Sequence, residues 1–404
     1  MKFAFFIFFI LSIASCKKQD PDKSGIEPEE DNVTLFVCGD KGTCSAINAK
    51  TSEIKWQVNL PEANILSSPT SENGLIFIAS TGFNKMGKVI ALDIKTGKQV
   101  WTFSTPGTIL STPLISDGKI YFGSWLPVTF SQFHSVDAKS GSLIWTSQLL
   151  SYYRDSSPTI HNDKIIFSTR DGLEILNKEN GISLKSSTNN LSNRKLKKTQ
   201  ETHGLEPLVF SSPCISGDYA YLVTSNGFAE ASEPAFEIHD LSANNVEWRF
   251  PLPVSLTVSS PTVYNNLVFF NDHNHIYAVD VKSHDTKWKF KFPNLENHRD
   301  YPYGSPTVQD GVVYIISLGS LFAIDALTGV EKWHYANQLS SSPLYYNSVI
   351  YVNSTTHTHA INAKNGQLLW KHALDSNEHE ITSSPVIIKN EKEVFHSGIS
   401  GNHQ

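Results

Sequence analysis

The stretch Ala91-Leu92-Asp93-Ile94-Lys95-Thr96-Gly97-Lys98-Gln99-Val100-Trp101 decides the fold. In the form Ala-x-Asp-x-x-Thr-Gly-x-x-x-Trp it runs through the chain in degenerate copies. Its aspartate position recurs at Asn48, Asp93, Asp137, Asn177, Asp240, Asp280, Asp325 and Asn362. Four residues on stand Ser52, Gly97, Gly141, Gly181, Asn244, His284, Gly329 and Gly366. Eight residues on stand Trp56, Trp101, Trp145, Lys185, Trp248, Trp288, Trp333 and Trp370. Of the 8 tryptophans in the chain, only Trp125 lies outside this register. Successive aspartate positions are 45, 44, 40, 63, 40, 45 and 37 residues apart.

A second mark alternates with the first. Ser-Ser-Pro or a near variant ends at Pro69, Pro113, Pro158, Pro213, Pro261, Pro306, Pro343 and Pro385. Between the marks lie short apolar runs such as Leu75-Ile76-Phe77-Ile78-Ala79, Val89-Ile90-Ala91-Leu92 and Gln99-Val100-Trp101-Thr102-Phe103. No window sustains a helical period, so these runs read as strands. With the strand that starts at each proline, every unit has four short antiparallel strands. A repeat of about 40–45 residues with four strands is a propeller blade. The expected fold is all-β, an eight-bladed β-propeller.

The residue chemistry suits that fold. Aspartate or asparagine accepts backbone amides two residues on and nucleates a turn, and glycine four residues on takes a left-handed position. Asn244 tolerates that conformation better than His284, so looser turns are expected there. Proline cannot donate to a ladder, which suits an edge strand lining a channel. Tryptophan on the outer strand buries about 150–250 Å² over a seam and needs a partner for its N–H.

The motif resembles the tryptophan-docking repeat of propellers related to pyrroloquinoline-quinone dehydrogenases. Those are eight-bladed, as are the BamB-type lipoproteins of the outer-membrane barrel-assembly machinery. The resemblance covers residues 32–404, and it implies Trp56, Trp101, Trp145, Trp248, Trp288, Trp333 and Trp370 as docking residues.

Closure of the ring is legible too. The first motif has no Ser-Pro before it, and Pro385 has no motif after it. C-terminal strands around Val386–Ile388 and Val394–His396 should therefore share a blade with N-terminal strands around Thr43–Ile47 and Ile54–Val58, removing both sheet edges. Val33–Val37 and Val394–His396 both fit the second position of that blade.

Ahead of the repeat stands an address. Met1-Lys2 precedes an apolar run from Phe3 to Ala14, too short for the ~20 residues of a membrane span. It reads as a secretory signal, residues 1–15. Ile13-Ala14-Ser15-Cys16 resembles the bacterial lipobox, which implies lipid attachment at Cys16. Residues 16–31 are polar, with two prolines, and read as a flexible tether. Lys17 is not the aspartate that retains proteobacterial lipoproteins at the inner membrane, so an outer-membrane lipoprotein is expected, its leaflet left open.

Chemistry is scarce. Net charge is −6, which disfavours a nucleic-acid binder. The chain has 4 cysteines, Cys16, Cys38, Cys44 and Cys214, none adjacent in sequence. The adjacent cysteine pair, calcium ligands and aspartate base of the quinone dehydrogenases find no match, so no cofactor and no enzyme activity are expected. Cys38 and Cys44 flank a hairpin signal, where either a cross-strand disulfide or two thiols fits. Cys214, beside an inner-strand Ser-Pro, reads as a buried thiol. His273-x-His275 and His357-x-His359 each offer two same-face nitrogens, with no third ligand at legible spacing, so packing histidines are the plainer reading.

The repeat breaks once. Lys185 replaces tryptophan, and Ser186 to Leu208 follows as a polar insertion with Arg194, Lys195, Lys197 and Lys198. It reads either as a solvated loop or as a docking loop for an acidic or lipid surface. The anchor, the fold and the missing chemistry together point to a membrane-tethered, monomeric scaffold for protein partners, with barrel assembly its concrete form. A glycan-binding surface or periplasmic lipoprotein is the alternative, and a quinone-dependent dehydrogenase relative is the remote one.

Overall fold

The computed structural model describes residues 33–396 except 61–62, 83–85, 127–130, 150, 152, 154–155, 170–171, 186–210, 225–233, 254–258, 273, 294–303, 374–382 and 390–391. The described secondary structure is all strand, in eight antiparallel sheets arranged as the blades of a propeller. Blade 1 follows Pro69, blades 2 to 7 follow in chain order, and blade 8 joins the two ends of the chain. Each blade runs outward from a short inner strand, such as Thr70–Glu72 or Leu344–Tyr346, to the strand that carries the motif tryptophan.

In blades 1 to 7 each inner strand turns into the second strand through a two-residue hairpin. Asn73 and Gly74, Asp117 and Gly118, Asp310 and Gly311, and Asn347 and Ser348 all have positive φ. Two consecutive positive φ values make the turn whose twist matches the strands it joins. The aspartate motif makes the second turn of each blade. Asp93 Oδ1 accepts the amides of Lys95 and Thr96, and Asp280 Oδ1 those of Lys282 and Ser283. The following glycine is left-handed, at φ 69 for Gly97 and 71 for Gly329. Asn244 and His284 reach φ 60 and 62, so those turns are as tight as the rest, contrary to expectation. His284 is held there by stacking on Trp248, with centroids 4.7 Å apart and planes 14° apart.

At six seams the residue after the motif aspartate serves two blades. The Ile94 amide donates to Gly74 O in its own blade, and its carbonyl accepts Trp56 Nε1 of blade 8 at 2.9 Å. Trp101 reaches Ala138 O, Trp145 reaches Lys178 O, Trp288 reaches Ala326 O and Trp333 reaches Ala363 O in the same way. Trp370 of blade 7 reaches Ala49 O, sewing the C-terminal part to the N-terminal one at 3.2 Å. Five of the indoles also lie over the next blade's turn glycine. A Cβ built on Gly97 would come within 2.5 Å of Trp56, and one on Gly181 within 2.4 Å of Trp145. Eight apolar clusters fill the seams in this way.

The Ser-Ser-Pro marks form a second, inner ring. The Ser68 amide donates to Thr112 Oγ1, Thr112 to Ser157 Oγ, Ser157 to Ser212 Oγ and Ser212 to Ser260 Oγ. The series continues from Ser260 to Ser305, from Ser305 to Ser342 and from Ser342 to Ser384. The Ser384 amide donates to Ser68 Oγ at 3.0 Å and closes the circle. The hydroxyl thus satisfies the backbone donor that each inner strand would otherwise leave buried where it meets its neighbour.

Closure follows the expected plan, with one addition. The closing sheet runs Ile54–Asn59, Thr43–Asn48, Val33–Cys38, Val386–Lys389, Lys392–His396. Val33–Cys38 takes the second position, pairing Phe36 with Val386 and Ala46. Nearly all its side chains are buried, as a strand with a seam on each face requires. Lys392–His396, the other contender, has charge at its first two positions and is displaced to the free edge of Val386–Lys389 as a fifth strand.

Candidate functional site

Alternating turns give the propeller two unlike faces. The two-residue hairpins and the Asp-x-x-Thr-Gly turns share one face. The other carries the links between second and third strands and those from blade to blade. Binding residues concentrate on loops held by a rigid frame, and the outer strand of blade 3, Ser183–Lys185, ends on this second face.

The docking tryptophans do not converge on a site. They are spread one to a seam around the outer strands, and their indoles are engaged with carbonyls or with the His284 ring. What the fold does bring together is a set of departures from the repeat. The seam between blades 3 and 4 is the one at which Lys185 stands in the tryptophan position. The turn it faces carries Asn244 where five other turns carry glycine beneath an indole. Its described apolar cluster is Ile166, Leu173, Ile175, Ala220, Leu222, Leu241 and Ile215, wholly aliphatic, whereas each of the other seven holds aromatic rings.

Charge is buried at this seam. On the third strand of blade 4, Ala235–Asp240, Glu237 pairs across the sheet with Leu222 and His239 with Ala220. Both side chains therefore point at blade 3. Glu237 is 2 % exposed and His239 5 %. Glu237 Oε2 lies 2.9 Å from His239 Nε2, and Oε1 lies 3.3 Å from Arg249 Nε. The position of His239 holds an aliphatic residue in every other blade: Ile47, Leu92, Val136, Leu176, Val279, Ile324 and Ile361. A carboxylate taken out of water needs such partners, because its burial alone would cost several kcal/mol. Arg249 spans from this buried carboxylate to the surface, and burial pushes the Lys185 ammonium below the ordinary lysine value. The outer rim of the seam thus presents one cation, Arg249, anchored on an interior acid, with the half-buried Lys185 on the facing blade. That arrangement can hold an anionic or acidic group.

Other seams carry polar groups at the Glu237 position without a second departure. His134 is enclosed by Thr105, Ser124 and Thr146, with Ser124 Oγ 2.9 Å from Nε2, and burial pulls its pKa down to about 4. His359 lies between Tyr335 and Ser354 and is likewise pushed to about 4, mainly by burial. Glu174 accepts from Ser183 at 2.7 Å. His134 and His359 are held by hydrogen bonds within their seams, and Glu174 is held through Oε1. The sequence already contained the signal for this belt: the residue three before each motif aspartate is polar or aromatic in seven of the eight copies.

The remaining sequence-level candidates are dispersed. Cys38 and Cys44 sit opposite each other on the first described hairpin, joined by a disulfide, and Cys214 is a buried cysteine outside the disulfide. His275 is tied to Asp272, which also accepts from the Tyr277 hydroxyl at 2.6 Å. His357 and His359 share a strand face, and His273 lies outside the described residues. Among the described residues no group of three or more His, Cys, Asp and Glu is placed to hold a metal. Cys16, Arg194, Lys195, Lys197 and Lys198 lie outside the described residues, and no described helix is long and apolar enough to cross a membrane.

Comparison with known proteins then places the architecture. The family model described as outer membrane protein assembly factor BamB matches residues 40–290 and 297–403. Among solved structures, BamB from Moraxella catarrhalis is 17 % identical, with 79 % of this chain and 90 % of that one covered at a TM-score of 0.59. The dihydro-heme d1 dehydrogenase NirN is 12 % identical, covering 90 % of this chain and 76 % of that one at a TM-score of 0.62. Apo AztD from Citrobacter koseri is 13 % identical, covering 89 % and 99 % at a TM-score of 0.52. Identities this low establish a common fold only. No curated protein matches the chain by sequence.

Proposed function

The chain belongs to the family of the outer membrane protein assembly factor BamB, and on that premise we propose that it is a non-enzymatic scaffold of the cell envelope. It docks protein partners through the loop face and the rim of the seam between blades 3 and 4. Residues 1–15 are its secretory signal, Cys16 its lipid anchor at the outer membrane, and residues 16–31 the tether that lets the propeller, residues 32–404, reach a partner. Partners of barrel assembly are the concrete form.

One observation carries the reading. Lys185, Asn244 and His239 are separate departures from the repeat, and they meet the buried Glu237 at one seam, next in sequence to the long polar and basic insertion. A seam only has to be packed, and the other seven achieve this with aromatic rings. The linked Glu237, His239 and Arg249 side chains carry a desolvation cost that the aliphatic residue found at the His239 position of every other blade avoids. The outward groups are cationic: Arg249 and Lys185 on the frame, and Arg194, Lys195, Lys197 and Lys198 in the insertion. An acidic protein surface is the complementary partner.

The test is a crosslinked pull-down from detergent-solubilised membranes, comparing the intact chain, one lacking residues 186–208, and Arg249→Glu. Barrel-assembly partners captured by the intact chain and lost from both variants are expected. Their absence from every sample overturns the assembly role. Bound glycan with no protein partner would replace it with the ligand-binding alternative.

A further inference from the structure

The closing blade has one strand more than a blade needs. Val386–Lys389 already holds the inner position: Ser384, just ahead of it, accepts the Ser342 amide and donates to Ser68 in the inner hydroxyl ring. Its pairing with the second strand also matches blade 7, since Phe36 opposite Val386 corresponds to Tyr351 opposite Leu344. The outer positions are in register as well, because Trp370 reaches Ala49 and Trp56 reaches Ile94. Four strands therefore complete blade 8, and Lys392–His396 is surplus to it.

That surplus strand has only one place to go. Inner strands of successive blades touch each other around the ring, as Thr70–Glu72 does with Leu114–Ser116 and Thr307–Gln309 with Leu344–Tyr346. The free edge of each inner strand faces the channel. Lys392–His396 pairs with that edge of Val386–Lys389, with His396 opposite Val386 and Phe395 opposite Ile387. Its backbone also approaches the inner strands of both flanking blades, Thr70–Glu72 and Leu344–Tyr346. A strand bonded to one inner edge and touching the inner strands on either side lies inside the ring.

We propose that Lys392–His396 is a built-in plug: the chain closes its own channel with a fifth strand that can leave without dismantling the blade. While it is paired, it covers the inner edge of Val386–Lys389 and lies against the inner strands of the two flanking blades, narrowing the channel beside blade 8. When it leaves, the channel opens and Val386–Lys389 regains a free inner edge like those of the other seven blades. Pairing at a single edge by five residues, with a register shift between Ile387 and Ile388, suits a strand made to exchange. This inference is independent of the scaffold reading, since it concerns the channel and not the outer rim.

The experiment measures access beside the plug. Ser71 pairs with Ile76, which packs in the seam with blade 8, so Ser71 faces the closing blade; it is 5 % exposed. Ser71→Cys is labelled with a small charged methanethiosulfonate in three backgrounds: the full chain, a chain ended after Asn390, and full-length Phe395→Pro. Proline removes a strand N–H without shortening the protein. Labelling at least ten-fold faster in both altered backgrounds, with far-UV circular dichroism unchanged, is expected. A second reading uses Val386→Cys with His396→Cys, which should join under mild oxidation because the two positions are opposed. Equal labelling rates in folded proteins, or no crosslink at 386 and 396, overturns the proposal. If the shortened chain fails to fold, Phe395→Pro and the crosslink still decide.

Discussion

Gly329→Ala and Gly311→Ala would put the same methyl group into the same blade at nearly the same backbone angle, with different surroundings. Gly311 has φ 73, and a Cβ there meets nothing within 4 Å. Its substitution costs only the left-handed conformation of an L-residue, about 1–2 kcal/mol, partly offset by the lower entropy of the unfolded chain. About 1 kcal/mol should remain. Gly329 has φ 71, but its Cβ would lie 2.7 Å from Cδ2 and 2.8 Å from Cγ of Trp288. That indole cannot retreat: its Nε1 is bonded to Ala326 O at 2.9 Å, and it packs beside Phe269 at 5.8 Å between centroids. Overpacking against a fixed ring adds about 1–3 kcal/mol. Gly329→Ala should therefore cost about 2–4 kcal/mol in all. In a Trp288→Ala background the overpacking vanishes, so the double variant should be less destabilised than the two singles together by about 1–3 kcal/mol. Guanidinium unfolding followed by far-UV circular dichroism reads all four proteins. Equal losses at 311 and 329, or a strictly additive cycle, would refute the idea that the glycine is there to receive the tryptophan.

The same reasoning predicts how the aberrant seam would respond to repair. Lys185→Trp alone should bring no stability, because Asn244 occupies the space an indole takes over glycine. Lys185→Trp with Asn244→Gly should exceed the single variant by about 1–2 kcal/mol, the scale of a recovered aromatic contact, as a rise in thermal midpoint. A pH effect follows from His134, whose folded pKa of about 4 lies below its unfolded value of 6.5. The unfolded chain takes up the proton first, so the neutral histidine's contribution is complete above pH 6.5 and fades as pH falls towards 4. At pH 5 the loss is about 2 kcal/mol. His134→Gln should flatten the stability curve over that range, and an unchanged slope would show that burial does not hold His134 neutral.

Much of the architecture was legible because each blade repeats one set of local rules. An aspartate that caps a turn, a glycine that turns left-handed and a proline that cannot donate act within a few residues of themselves, so Asp93, Gly97 and Pro69 could be read one by one. The looser turn expected at His284 failed because a residue's own φ preference was considered without Trp248, which lies in another blade and stacks on it. The identity of the second strand in the closing blade was undecided for a similar reason. Val33–Cys38 and Val394–His396 look alike as short apolar runs, and only their pairing with Val386–Lys389 separates them.

The sequence alone determined the repeat, the number of blades, the tryptophan at seven seams and the gap at the eighth, since periodicity and turn chemistry are local and survive without coordinates. Only the tertiary structure decided what those parts touch. It joined eight scattered Ser-Pro marks into one closed ring of amide–hydroxyl bonds, from Ser68 round to Ser384 and back. It brought Lys185, Glu237, His239 and Asn244 to a single seam, and it turned five residues near the C-terminus into a strand inside the ring. Such contacts depend on which edge and which face of a strand meet a neighbour, and ring closure sets that for all eight blades at once.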